Sequence, residues 1–149
     1  MALVTTFLAT LLMLALGAGA TLTTLTEMAI AANHRDGIQA LYAAEGGIAL
    51  AVSRLRATPD WTDVAKRGDG TPFLQGRFAD LVPSHAVDPR IAVTVSVSAD
   101  SNGDVDVLVL QSSAGVPAGI RRNVQVTIRG RPSGENGSRT IEMLSWRER

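Results

Sequence analysis

The opening stretch, MALVTTFLATLLMLALGAGATLTTLT (Met1–Thr26), carries no ionisable side chain; the chain's 14 Lys+Arg and 14 Asp+Glu all fall from Glu27 onward. An apolar helix needs roughly 20 residues to span a bilayer, so this run is a transmembrane candidate. The competing reading is a cleavable secretory signal, because Ala18-Gly19-Ala20 has the small-residue spacing that signal peptidase favours. Against it, a signal opens with a basic segment, whereas no Lys or Arg precedes Arg35. The helical pattern also runs past the would-be cut, so Met1 reads as a processed terminus.

Working outward, Glu27 to Arg56 continues the helix, because Glu27, Ala31, His34, Ile38, Leu41, Glu45, Ile48, Val52 and Leu55 recur at alternating four- and three-residue steps. That stripe is the expected buried face. Thr58-Pro59 ends the helix, since the residue before proline disfavours helical geometry. The whole rod would be about 56 residues, or roughly 84 Å. Its first half has nothing of its own chain to bury against, so lipid or other copies must cover it. Gly17 and Gly19, followed by Thr21, Thr23, Thr24 and Thr26, point either to local melting or to close approach between helices. Gly46-Gly47 would permit close approach to a sheet.

Trp61 to Arg90 is rich in Gly, Pro and Asp without a sustained period, and reads as an irregular connection with one short helical turn. Beyond it Ile91, Val93, Val95 and Val97 alternate with small polar residues as in a half-buried strand, and Val105, Val107 and Val109 repeat the pattern. Asn102-Gly103 between them predicts an antiparallel hairpin. A third strand is expected over 121–129 with Val124, Val126 and Ile128 inward, and a fourth over 139–146. The fourth places Ile141, Met143, Leu144 and Trp146 on both faces, which predicts a bulge or a doubly covered strand. The fold class is therefore α+β: a hydrophobic stem, 1–26, protruding from a head, 27–149, in which the amphipathic half of the helix packs on a roughly four-stranded antiparallel sheet.

Composition narrows the chemistry. Of 149 residues, 46% are apolar and 19% charged, which excludes disorder. With no cysteine there is no disulfide, thiolate zinc site or cysteine nucleophile, and imidazole chemistry is confined to His34 and His85. A zero formal net charge and 4% aromatic content argue against a nucleic-acid footprint. Asp100, Asn102, Asp104 and Asp106 alternate like the opening of a calcium loop, but Val105 stands where that loop wants glycine and Gln111 where it wants glutamate. The hairpin already explains the stretch. Ser84-His85 near Asp80 and Asp88 is a polar loop cluster with nothing to orient it, and no glycine-rich phosphate cradle precedes a helix, so neither an enzyme nor a bound cofactor is expected.

The order of ALVTTFLATLLMLALGAGA, then NHRDGIQALYAAEGGIALAVSRL, then Pro59-Asp60-Trp61, RRNVQVTIRG and a closing SWRE resembles the type IV pilin superfamily, with PilX-type minor pilins the nearest likeness. The resemblance covers most of the chain, and Ala43-Ala44-Glu45-Gly46 is its most distinctive piece. It implies a prepilin cut by a dedicated peptidase, held in the inner membrane, then assembled by membrane machinery into an extracellular filament with copies of itself or other pilins. The stems would form its core. Assembly contacts would fall on Met1, Leu3, Val4, Thr5, Phe7, Leu8, Leu11, Leu12, Gly17 and Gly19, with Glu27 at the membrane edge and Glu45 in a structural role. One departure matters: typical major pilins resemble one another in an early glutamate that pairs with a neighbour's N-terminal ammonium, and this chain has Thr5 where that acid would be expected if Met1 is the mature terminus. That departure points to a minor or tip-initiating subunit.

Charge divides the head. Residues 60–106 hold eight acids and four bases, whereas 121–149 hold seven arginines and three acids. Arg121, Arg122, Arg129 and Arg131 are thus candidates for intersubunit pairs, with intramolecular pairing or solvation as the alternative. Three function classes remain open: a filament subunit, a membrane-anchored binding module, and a secreted protein whose stem is removed.

Overall fold

A computed structural model describes residues 2–66, 71–82, 88–100, 104–133 and 138–149. The chain divides into two units, Met1–Arg35 and Asp36–Arg149. One helix, α1 (Ala2–Arg56), supplies all of the described first unit and enters the second. The elements that follow are α2 (Thr62–Lys66), β1 (Pro72–Arg77), α3 (Phe78–Leu81), β2 (Ala92–Ala99), β3 (Val107–Gly115), β4 (Arg121–Ser133) and β5 (Ser138–Glu148).

In the first unit α1 is unbroken at Gly17 and Gly19. In the second, the strands form one antiparallel sheet in the order β1-β2-β3-β4-β5, and the Asp36–Arg56 part of α1 packs on it. The class is α+β as expected, with five strands rather than four. The extra strand, β1, lies in the stretch read as irregular. Six residues, PFLQGR, with an opening proline and a glycine, carry too little alternation to announce a strand, and an edge position is where proline is tolerated.

Two inward faces also differ from expectation. In β3 the core-facing side chains are Leu108, Leu110, Ser112 and Ala114, while Val109 opposes Ser98 and Thr127 on the other face and Val105 lies exposed ahead of the strand. Val107-Leu108-Val109-Leu110 is apolar at every position, so alternation cannot choose its register, and a one-residue shift turns every side chain over. The pairing with β2 and β4 decides it. For β2 and β4 the expected residues, Val93, Val95 and Val97 and Val124, Val126 and Ile128, are buried. The β2–β3 pairing is antiparallel as predicted, although Asn102-Gly103 lies outside the described residues.

The helix is likewise turned by about one residue. Its buried positions are Gly37, Ala40, Ala43, Ala44, Gly47, Ile48, Ala51 and Leu55, so the face on the sheet is made chiefly of small residues. Ile38, on the expected stripe, is 39% exposed, and Leu41 and Val52 flank the core. Close approach is the reason. A Cβ on Gly47 would stand 2.8 Å from both Ser112 Oγ and Val93 Cγ1, and one on Gly46 would stand 2.6 Å from the Phe78 ring. Bulky side chains cannot occupy that seam, so they lie beside it.

The β3–β4 connection is a tight turn in which Gly119 N–H donates to Val116 O and Val116 N–H to Ile120 O, with Gly119 at φ 90°. The register of β4 with β5 shifts between Thr127 and Ile128, leaving Leu144 without an opposite residue. This is the bulge that apolar residues on both faces of β5 anticipated.

Replacing Gly47 by valine should lower stability by about 1–3 kcal/mol, since β-branched Val93 cannot yield freely. Gly17→Ala, with nothing within 4 Å of the added methyl, should leave stability unchanged or slightly raised. Thermal melts of the full chain in detergent distinguish these outcomes.

Candidate assembly surfaces

Every described residue from Ala2 to Arg35 is exposed, including the large apolar side chains Leu3, Val4, Phe7, Leu8, Leu11 and Leu12. Met1 lies outside the described residues. The apolar part of α1 is not buried within the chain, and the helix is long and apolar enough to cross a membrane. Its threonines suit such a setting. Thr5 and Thr10 donate to the carbonyls of Ala2 and Phe7, both at 2.8 Å, and Thr21, Thr23, Thr24 and Thr26 donate to Gly17, Gly19, Ala20 and Leu22. Each hydroxyl thereby satisfies its donor within its own helix, which matters where no water is at hand. The carbonyls of Gly17 and Gly19 take part in this pattern.

Glu27 and His34 are exposed, and Glu45 is half-buried with no ion pair or side-chain hydrogen bond among the described residues. In the second unit, the charge candidates divide. Arg122 reaches Glu148 at 3.4 Å and passes over Gly37, and Arg131 reaches Glu142 at 3.2 Å. Arg121 and Arg129 make no ion pair or side-chain hydrogen bond among the described residues. Asp104 Oδ1 accepts from the Asp106 N–H, and Asp106 Oδ1 is taken by Arg139 at 2.6 Å. Asn102, Ser84 and His85 lie outside the described residues. Among those that are described, no three His, Asp or Glu side chains converge as metal ligands.

Arg139 and Trp61 form a junction that charge counting overlooked. Trp61 is fully buried, donates through Nε1 to Leu55 O at 3.0 Å, and lies over Gly130 so closely that a Cβ there would come within 2.6 Å of the ring. The Arg139 guanidinium stacks 4.9 Å from the Trp61 ring centre and donates to Pro59 O at 3.0 Å as well as to Asp106. The end of α1 is thereby tied to β4 and β5. The sequence signal was available: a bulky indole after Pro59-Asp60 and a glycine inside a long strand. Beside it, the Asp60 carboxylate accepts from the Thr62 N–H, which, with the Thr62 hydroxyl and the charges of Arg139 and Lys66, holds it below its ordinary value.

The architecture is thus α+β: α1 is uncharged over residues 2–26, with its hydroxyls satisfied internally, and its Asp36–Arg56 part lies on an antiparallel sheet through a small-residue seam. Residues 1–49 match the family model described as PilX N-terminal, which supports reading this segment as a PilX-type, type IV pilin-like N-terminus. That family is structural rather than enzymatic. No curated protein and no solved structure matches the chain.

Trp61→Phe should cost about 1 kcal/mol through the lost bond to Leu55 O, and Arg139→Lys should destabilise as well because an ammonium cannot serve the stack and both acceptors together. Denaturant titration of the full chain checks both. Asp60 has a folded pKa below the ordinary value of 3.8, so its contribution is complete above that pH and lost as pH falls through the folded value. The melting temperature of Asp60→Ala should therefore lie below the parent at neutral pH and converge with it in strong acid.

Proposed function

We propose that this chain is a structural subunit of an extracellular type IV pilus-like filament. Before assembly the stem resides in the inner membrane; afterwards it packs among the stems of its own copies or of other pilins. The observation that carries this reading is the fully exposed, uncharged face of residues 2–26, which needs an apolar surrounding that the chain itself does not supply. The PilX-type N-terminal match supports it. A prepilin peptidase and inner-membrane assembly machinery are the implied partners, and nucleic acid is not among them.

If Met1 is the mature terminus, Thr5 favours a minor or initiating position. Its hydroxyl is turned back onto Ala2 O, so it offers no charge to a neighbour's ammonium. A carboxylate there would carry a desolvation cost of several kcal/mol unless paired, and its absence removes one register signal between neighbouring stems.

Sheared surface material, examined by negative-stain microscopy and probed for this chain, should contain it in filaments with residues 1–26 retained. Leu12→Arg should deplete both the membrane pool and the filaments, given about 2.5–3.5 kcal/mol for arginine at a helix centre in the bilayer. Recovery of the intact chain only as a membrane monomer favours the anchored binding module, and recovery without residues 1–26 favours the secreted form.

A further inference from the structure

The sheet has one blunted edge and one open edge. At the blunted edge β1 is six residues long, opens on Pro72, slips register before Leu74 and runs directly into α3. A short strand that begins with proline is poorly suited to further pairing. At the other edge β5 runs for 11 residues without proline or glycine, and among the described residues its backbone bonds go to β4 alone. Met143, Leu144 and Trp146 on it are 58%, 41% and 46% exposed. We propose that this edge pairs with the β5 edge of a second copy of the chain.

The bulge gives β5 a symmetry that a regular strand cannot have. Met143 opposes Ile128 and Trp146 opposes Val126, both buried in the core, so Met143 and Trp146 share the α1 side of the sheet although an odd step separates them. Glu142 opposes Arg129 and Arg147 opposes Gln125, so those two share the other side, again across an odd step. In an unbroken strand an odd step puts side chains on opposite faces; here the extra residue, Leu144, restores the match. Outward from Leu144-Ser145, β5 therefore reads alike in both directions: a large apolar residue on one face, then a charge on the other.

A two-fold axis between Leu144 and Ser145 sets Met143 of one copy opposite Trp146 of the other, and Glu142 opposite Arg147, each pair occurring twice. Apolar meets aromatic on the α1 side, and anion meets cation on the far side. The charges that meet are opposite only because the order of β5 is its own complement, which selects a second copy over an unrelated extended segment. Arg147 makes no ion pair or side-chain hydrogen bond among the described residues. Glu142 holds Arg131 at 3.2 Å, and a carboxylate accepts more than one donor. The main-chain groups of the open edge supply the bonds of strand addition. The interface is isologous, with the two Asp36–Arg56 helix segments antiparallel on the same side of a continuous sheet. It therefore differs from any contact between copies that point the same way, and the proposal stands whether or not the stem polymerises.

Charge reversal tests it, with self-association of the full chain in detergent followed by sedimentation equilibrium. E142R and R147E each set like charges opposite one another twice, and each should weaken association by about tenfold. An equimolar mixture of the two variants sets unlike charges together at both places and should associate like the parent. Association that neither variant weakens overturns the proposal, as does a mixture no tighter than its components, or a parent that stays monomeric. Circular dichroism establishes that both variants are folded. If either is not, Ser145→Cys takes their place: the chain has no cysteine of its own, so a short bis-maleimide should join two copies through this position. Thr140→Cys, about 30 Å from its counterpart across the axis, should not cross-link. No cross-link at Ser145→Cys, or an equal yield at Thr140→Cys, overturns the proposal.

Discussion

Gly47 lies where the helix and the sheet come closest, and there is no room there for even a methyl group: Ser112 Oγ and Val93 Cγ1 already occupy the space that a Cβ would need. Much of the second unit follows from that contact. Because the seam admits only glycine and alanine along most of its length, the helix presents Gly37, Ala40, Ala43, Ala44 and Ala51 to the strands, and its larger apolar residues lie to either side. Dispersion between the small-residue face of the helix and the strand side chains seated against it replaces the interdigitation of large side chains. The seam ends at the Trp61 and Arg139 junction, where an indole laid over Gly130 and a guanidinium shared between Pro59 O and Asp106 tie α1 to β4 and β5.

The same helix meets a different requirement in its first unit. Over residues 2–26 the side chains are uncharged and mostly apolar, none is buried, and the polar side-chain atoms are threonine hydroxyls, most of them turned onto preceding carbonyls. A helix whose hydrogen bonds are all internal is suited to lipid and equally to a bundle of like helices, since neither supplies water. One helix thus carries two surfaces, one complete against its own sheet and one that calls for an apolar neighbour.

The two faces of the sheet are equally unlike. One is the apolar floor under α1; the other is polar, with its arginines gathered toward β4 and β5. A formal charge of zero for the chain conceals this separation, because the compensating acids lie largely on the 60–106 side. Net charge describes solubility and says little about a face.

Several features could be read directly from the residues. The uncharged run Met1–Thr26, the helix that continues from it, four of the strands and the bulge in β5 were legible because each is a local matter of hydropathy, period and turn chemistry. The PilX-type N-terminus was legible for the same reason, being a contiguous motif in residues 1–49. Three things depended on contacts between distant segments: which side of VLVL faces inward, which side of α1 meets the sheet, and whether PFLQGR forms a strand. An apolar stretch with no polar alternation specifies burial without specifying direction, and a stripe of large residues is outcompeted when small ones permit a closer approach. Local pattern therefore determined the elements of this protein and the solvent each prefers, whereas the register and the helix rotation were settled only when the strands paired.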